Sequence, residues 1–202
     1  MDADVLPATP DRFDDVATVI NPHRNPRHCW CLAYRLTSGQ VGELGDGTGG
    51  EREQHLRDLT ARTPSPGLLA YRDGEPVGWV GLGPRAAVPR LARSRVIPHV
   101  DDLPVWSVFC LVVRSGWRRQ GVTGQLLEGA ERYAAEHGAP AVEAYPVDPG
   151  EGARVNSSLA YVGTTGMFER AGYHRVRETS AKSDGLVRWL MRKELDPSRV
   201  GG

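Results

Sequence analysis

The stretch Cys110–Leu127, CLVVRSGWRRQGVTGQLL, constrains this chain more than any other. An apolar run ends in a basic turn punctuated by glycine, and an amphipathic run begins at once. A strand that feeds a helix so tightly brings the helix's first amides, which have no intrahelical partner, to one spot beyond the strand. The helix dipole adds positive potential there. Gly121 keeps the backbone approachable, Thr123 adds a hydroxyl, and Arg118 and Arg119 add fixed charge. Such a cup suits a diphosphate; an ordinary solvated turn is the structural alternative.

Two familiar phosphate loops do not account for it. Gly116 and Gly121 have P-loop spacing, but Val122-Thr123 stands where that motif needs Lys-Ser/Thr, which argues against a nucleotide triphosphatase. Only Gly121-x-x-Gly124 remains of the dinucleotide fingerprint, so a nicotinamide or flavin enzyme is weakly supported.

The surrounding pattern alternates strands and helices. DVLPAT reads as a short strand, and PDRFDDVATVI as a helix capped by Thr9 or Asp11. A short helix is expected over 28–36, and SGQVGELGDGTGG reads as a mobile glycine-rich loop. EREQHLRDLTART returns to helical spacing. GLLAYRDGEPVGWVGLG is a hairpin about Asp73-Gly74. Residues 84–104 read as a long connection into VWSVFCLVV, a central strand. In the helix that follows, Val122, Leu126, Leu127, Ala130 and Ala134 share one face, and Gly138 stops it. PAVEAYPVD is a strand followed by the loop PGEGARVNSS; LAYVGTTGMFERAG reads as a helix, and YHRVRET and LVRWLMRKEL as closing strands. The expectation is one α/β domain over 1–202, a mixed sheet with helices on its faces.

At Arg118-Arg119-Gln120-Gly121-Val122-Thr123 the chain resembles the acetyl-CoA signature of the GNAT superfamily of N-acetyltransferases, Arg/Gln-x-x-Gly-x-Gly/Ala, with Thr123 in place of the small residue. MFERAGYHRV is similar to the family's closing Tyr-Glu-Lys-x-Gly-Phe segment. The likeness covers roughly residues 65 to 177 well and the N-terminal third in outline. It implies a mostly antiparallel, twisted sheet whose central strands splay apart, with helices on both faces. It also implies acetyl-CoA as co-substrate, its pantetheine arm along Leu111, Val112 and Val113. The pyrophosphate would rest on the amides of Arg119, Gln120, Gly121, Val122, Thr123 and Gly124, with Arg118 at the rim. The reaction implied is direct attack of an amine on the thioester, which needs a proton removed from the ammonium and one supplied to the thiolate.

The family's tyrosine acid falls at Phe168, whose ring cannot donate a proton; Thr165, Tyr161 or solvent is left to act. Tyr173 matches the aromatic after the glycine. For the base, the resemblance sets Ser107 at one family glutamate position and Glu143 at another. Glu143 alternates away from Val142 and Ala144, either as a solvated strand carboxylate or as a base acting through water. His99, Asp101 and Asp102 are weaker candidates and suit turn chemistry.

HCWCLAYR places His28, Cys29 and Cys31 together, but Cys-x-Cys without a second pair argues against a metal site. Packing and acceptor-pocket lining remain open for this segment. In the family it borders the acceptor, which makes Trp30 and Tyr34 the expected substrate-binding residues. Arg85, Arg90, Arg93 and Arg95 read as a solvated loop, or as contacts to the coenzyme's 3′-phosphate or to an acidic acceptor.

Charge sets the remaining bounds. The chain's 25 basic and 25 acidic residues cancel, so no overall field draws it to nucleic acid or membrane. Three cysteines make no disulfide framework, and no apolar run reaches the ~18 residues of a spanning helix. The start lacks a signal-type apolar core, so a cytoplasmic location is expected. The acceptor is expected to be a small-molecule amine, and LVRWLMRKEL permits a homodimer. The alternative function is a non-catalytic acyl-CoA sensor of the same fold.

Overall fold

The computed structural model describes residues 3–45, 47–150 and 160–196. Its strands are β1 (Asp4–Pro7), β2 (Gly67–Arg72), β3 (Glu75–Pro84), β4 (Trp106–Val113), β5 (Ala141–Ala144), β6 (His174–Ser183) and β7 (Leu186–Glu194). They form a seven-stranded sheet in the order β1-β2-β3-β4-β5-β7-β6. Every pairing is antiparallel except β4 with β5, which run parallel. Asp73 and Gly74 both take positive φ, 50° and 77°, as the tight β2–β3 turn requires.

Alternation along the strands divides the core between the two faces. Leu69, Trp79 and Phe109 point one way, toward α1 (Phe13–Ile20) and α3 (Glu51–Thr60). Leu68, Ala70, Val80 and Leu111 point the other way, toward α5 (Val122–Glu136) and α6 (Thr165–Arg170). The five α5 residues expected on one face are all buried, each contributing on the order of 1–3 kcal/mol of apolar burial according to its size.

Several local expectations change. A 3-10 turn over Pro10–Arg12 precedes α1, and Thr9 makes no side-chain cap bond. Residues 28–36 form turns, not a helix, because Trp30 and Cys31 sit in the left-handed region at φ 51° and 56°. The glycine-rich stretch contains α2 (Ser38–Glu43), started by a reciprocal capping box between Thr37 and Gln40. The long connection holds a 3-10 turn at Arg85–Ala87 and a short α4 (Pro89–Ala92). LAYVGTTGMFERAG splits at Gly163, φ 75°, into a 3-10 turn (Ala160–Val162) and α6. The loop expected over PGEGARVNSS lies, beyond Gly150, outside the described residues.

β7 is internal, between β5 and β6, with Leu190 and Met191 fully buried. Leu186, Val187 and Trp189 of β7 stay partly exposed, and β6 forms the sheet edge and is largely exposed.

Candidate active site

β4 and β5 pair only from Trp106↔Val142 to Val108↔Ala144. Beyond that point β4 runs on from Phe109 to Val113 with no β5 partner, so the centre of the sheet opens. The β3–β4 register slips here too: Gly81 faces Cys110 and Leu82 faces Val108, which leaves Phe109 as an extra residue. A bulge of this kind bends the strand and re-aims its side chains.

On the α5 face, β4 leads through a 3-10 turn at Ser115–Trp117 into the helix start. Arg119 and Gly121 both take positive φ, 62° and 81°, and Gly121 is the N-cap of α5. The turn ends in the free amides of the first helical turn, and a Cβ built on Gly121 or Gly124 would meet nothing within 4 Å. Val113, Arg118, Arg119, Gly121, Val122, Thr123 and Gly124 line a groove of about 990 Å³. Arg170 of α6 adds another cation to its wall. Open backbone, a helix N-terminus and three arginines fit a linked diphosphate. The Gln120 side chain is turned away: its Nε2 donates to the Gly116 carbonyl at 2.9 Å, while the Gln120 backbone carbonyl accepts from Arg72 Nη2 at 2.7 Å. Leu111 points into the core beneath α5.

On the opposite face lies an apolar pocket of about 460 Å³, with Phe109, Cys110 and Val112 of β4 on one wall and Tyr34 and Tyr161 on another. Adjacent residues Val112 and Val113 thus face different cavities where β4 has lost its neighbour. His28 also borders the pocket, and partial burial pushes its imidazole below the ordinary histidine range. Tyr34 stands as expected, its ring 5.8 Å from Phe109 and its phenol pushed up by burial. Trp30 does not reach the pocket. It is fully buried and stacks on Phe13 at 6.1 Å, so it serves packing. In the pocket wall, Cys31 and Cys110 place their sulfurs in contact, and the Trp79 indole donates to Cys31 Sγ at 3.1 Å.

Glu143 is neither solvated nor free to act as a base. It is 1% exposed. Oε2 accepts from Arg85 at 2.9 Å and from the Tyr145 hydroxyl at 3.0 Å, and Oε1 accepts from Arg192 Nη2 at 2.7 Å. Two guanidiniums and a phenol occupy this carboxylate and leave a substrate proton no path to it. Arg85 is correspondingly no loop residue, at 2% exposed. Ser107 joins the same cluster through Tyr145, 2.8 Å away. Asp101 binds the outer side of Arg192 and is itself held below the ordinary carboxylate range by that bond.

Phe168 is fully buried edge-on against Tyr173, ring centroids 5.0 Å apart. The Thr165 hydroxyl donates to Asp148 at 3.3 Å. Among the described residues no group of three or more His, Cys, Asp or Glu is placed to hold a metal ion, and no helix is long and apolar enough to cross a membrane.

Sequence reasoning passed over Phe109 and Cys110 as plain strand residues, because only the bulge turns their wall into a pocket. Arg188 was also missed, and it did carry a signal. In LVRWLMRKEL it shares a face with Leu190, which marks a charge on a buried side.

An open mixed sheet whose central strands part beside a helix-capped anion cup defines a class of α/β acyltransferases. The family model described as "Acetyltransferase (GNAT) family" matches residues 23–154, and the chain belongs to that family. A comparison with curated proteins gives no match. Among solved structures, the chain is similar to a GNAT acetyltransferase from Streptococcus pneumoniae, at 19% identity and TM-score 0.54, covering 96% of this chain and 100% of that one. It is similar to the NatC complex bound to Gag peptide and CoA, at 13% identity and TM-score 0.57, covering 97% and 100%. It also resembles the PaiA N-acetyltransferase of Thermoplasma acidophilum in complex with coenzyme A, at 13% identity and TM-score 0.52, covering 96% and 99%. At these identities the likeness establishes the fold.

Proposed function

We propose that this chain moves an acetyl group from acetyl-CoA to a small-molecule amine by direct attack in a ternary complex. The observation that carries the reading is the pair of cavities on opposite faces of β4, lined by the adjacent residues Val112 and Val113 in the stretch where β4 has no β5 partner. One cavity has the chemistry for a pyrophosphate; the other is an apolar pocket of a size suited to a small acceptor. The gap lets a thioester on the α5 side be reached by an amine on the other. The pyrophosphate rests on the amides of Val122 to Gly124, with Arg118, Arg119 and Arg170 around it. The acetyl carbonyl lies along the free edge of β4 beyond the Phe109 bulge.

The ammonium proton leaves through His28, the neutral imidazole at the rim of the acceptor pocket, since Glu143 is saturated. The thiolate takes its proton from solvent. Phe168 has no proton to give, the Thr165 hydroxyl donates to Asp148, and Tyr161 lines the acceptor pocket and not the groove. The reading sets the reaction in the cytoplasm, in keeping with free thiols at Cys29, Cys31 and Cys110.

Calorimetry with acetyl-CoA, followed by thiol release and mass spectrometry over an amine panel, tests this. Binding with an acetylated product on at least one small amine is the expected result; absence of coenzyme binding would end the proposal. The loss of both family acid and family base favours a second reading, an acyl-CoA sensor. Tight coenzyme binding with no product from any amine would select it.

A further inference from the structure

Two arginines of β7, Arg188 and Arg192, fall on the buried face that also carries Leu190. Their surroundings differ sharply. Arg192 is matched by Glu143 and Asp101. Arg188, 5% exposed, has no carboxylate partner among the described residues. Nε donates to Ser183 Oγ at 2.9 Å, Nη2 to the Tyr161 hydroxyl at 3.4 Å, and Nη1 to the Tyr34 hydroxyl. A buried guanidinium held only by neutral hydroxyls is uncompensated in charge. Arg35, also without an acid, differs because it is spent on the backbone carbonyls of Pro66 and Leu82.

The space in front of Arg188 is a cavity of about 310 Å³. Arg90 and Lys182 stand in its wall, neither ion-paired among the described residues, and no Asp or Glu lines it. It shares Ala33, Tyr34 and Tyr161 with the apolar pocket. The two tyrosine hydroxyls therefore lie at the junction, where each can accept from Arg188 and turn its own proton toward an anion.

We propose that Arg188 is the anchor for a carboxylate on the acceptor, so that the substrate is a free amino acid with an apolar side chain. The proposal rests on the acetyltransferase reading and narrows it. The carboxylate is held in the cationic cavity by Arg188 and the two phenols, with Arg90 and Lys182 raising the local potential. The side chain lies in the apolar pocket lined by Phe109, Val112 and Tyr34, and the α-amine is left facing the open edge of β4. A polyamine would meet three cations and no acid in this place, and a peptide N-terminus would bring no carboxylate at that distance.

The test measures the affinity of N-acetyl-phenylalanine and N-acetyl-leucine against the matching C-terminal amides by calorimetry, in wild type, Arg188→Gln and Arg188→Lys. Coenzyme affinity and thermal midpoint are recorded for each protein. Wild type is expected to bind the carboxylates at least 10-fold more tightly than the amides, Arg188→Gln to lose that preference, and Arg188→Lys to keep part of it. Should Arg188→Gln not fold, Arg90→Gln and Lys182→Gln, both exposed positions, are expected to shrink the preference in its place. Equal binding of acids and amides, binding of neither at millimolar concentration, or a preference untouched by these variants overturns the proposal. Retained acetyl-CoA binding in that event leaves the acetyltransferase reading standing; its loss removes both.

Discussion

Arg85 and Glu143 stand 58 residues apart in the chain, yet Arg85 Nη1 lies 2.9 Å from Glu143 Oε2 with both side chains almost wholly out of solvent. The pair, with Arg192, ties the connection after β3 to β5 and β7 at the closed end of the central gap. Its role is to hold the strands that part beyond it.

Glu143→Gln is therefore expected to destabilise rather than to abolish chemistry. Removing one member of a buried, hydrogen-bonded ion pair costs about 3–5 kcal/mol, because the remaining charges lose their compensation. Denaturant unfolding should show a fall of that size, with kcat per folded molecule within a few-fold of wild type. A variant of unchanged stability that had lost catalysis by orders of magnitude would return Glu143 to the role of base.

What the sequence shows, and what it hides, follows from the range of the interactions. The Asp73-Gly74 hairpin, the buried face of α5 and the glycine-opened helix start at Gly121 depend on neighbours in the chain, and all three are legible in the sequence. The capping box at Thr37–Gln40 is equally local, but the six glycines from Gly39 to Gly50 mask it. The ion cluster around Glu143 joins four distant segments, so neither Arg85 nor Glu143 shows in sequence that it is buried. Trp30 was misplaced for the same kind of reason. Its left-handed backbone turns the indole inward onto Phe13, and no residue pattern announces that turn.

Trp30 and Tyr34 should accordingly part company under mutation. Trp30→Ala is expected to lose about 3–5 kcal/mol of stability from cavity formation, while coenzyme affinity of the folded protein is unchanged. Tyr34→Phe is expected to cost about 1–3 kcal/mol, because buried Arg188 loses an acceptor, and to raise the acceptor KM several-fold. Steady-state kinetics beside thermal melts distinguish the two; a large KM effect at Trp30 with an intact melt would restore it to the pocket.

Gly124 offers a test of the cup that separates binding from folding. It lies in the first turn of α5, lines the groove, and has open space where a Cβ would go. Gly124→Leu should raise helix propensity by roughly 0.8 kcal/mol while placing a side chain where the diphosphate rests. The expected outcome is a protein at least as stable as wild type with acetyl-CoA affinity down 10-fold or more. Unchanged affinity in calorimetry would move the coenzyme away from this helix start.

The pH profile should carry the signature of His28. Partial burial disfavours its charged form, so the imidazole stays neutral until pH falls below the ordinary histidine value of about 6.5. Acting as proton acceptor, it should add to kcat/KM an acid limb below that value, on top of the fall set by the acceptor amine's own ionisation; a solvent-accepted proton would leave only the latter. His28→Gln should flatten this limb and lower kcat/KM by about 10- to 100-fold at neutral pH. The sign for stability is the same: the unfolded chain takes up the proton first, so the folded state loses stability as pH drops through the depressed value. Superimposable profiles for wild type and His28→Gln, from initial rates at saturating acetyl-CoA, would assign the proton to water.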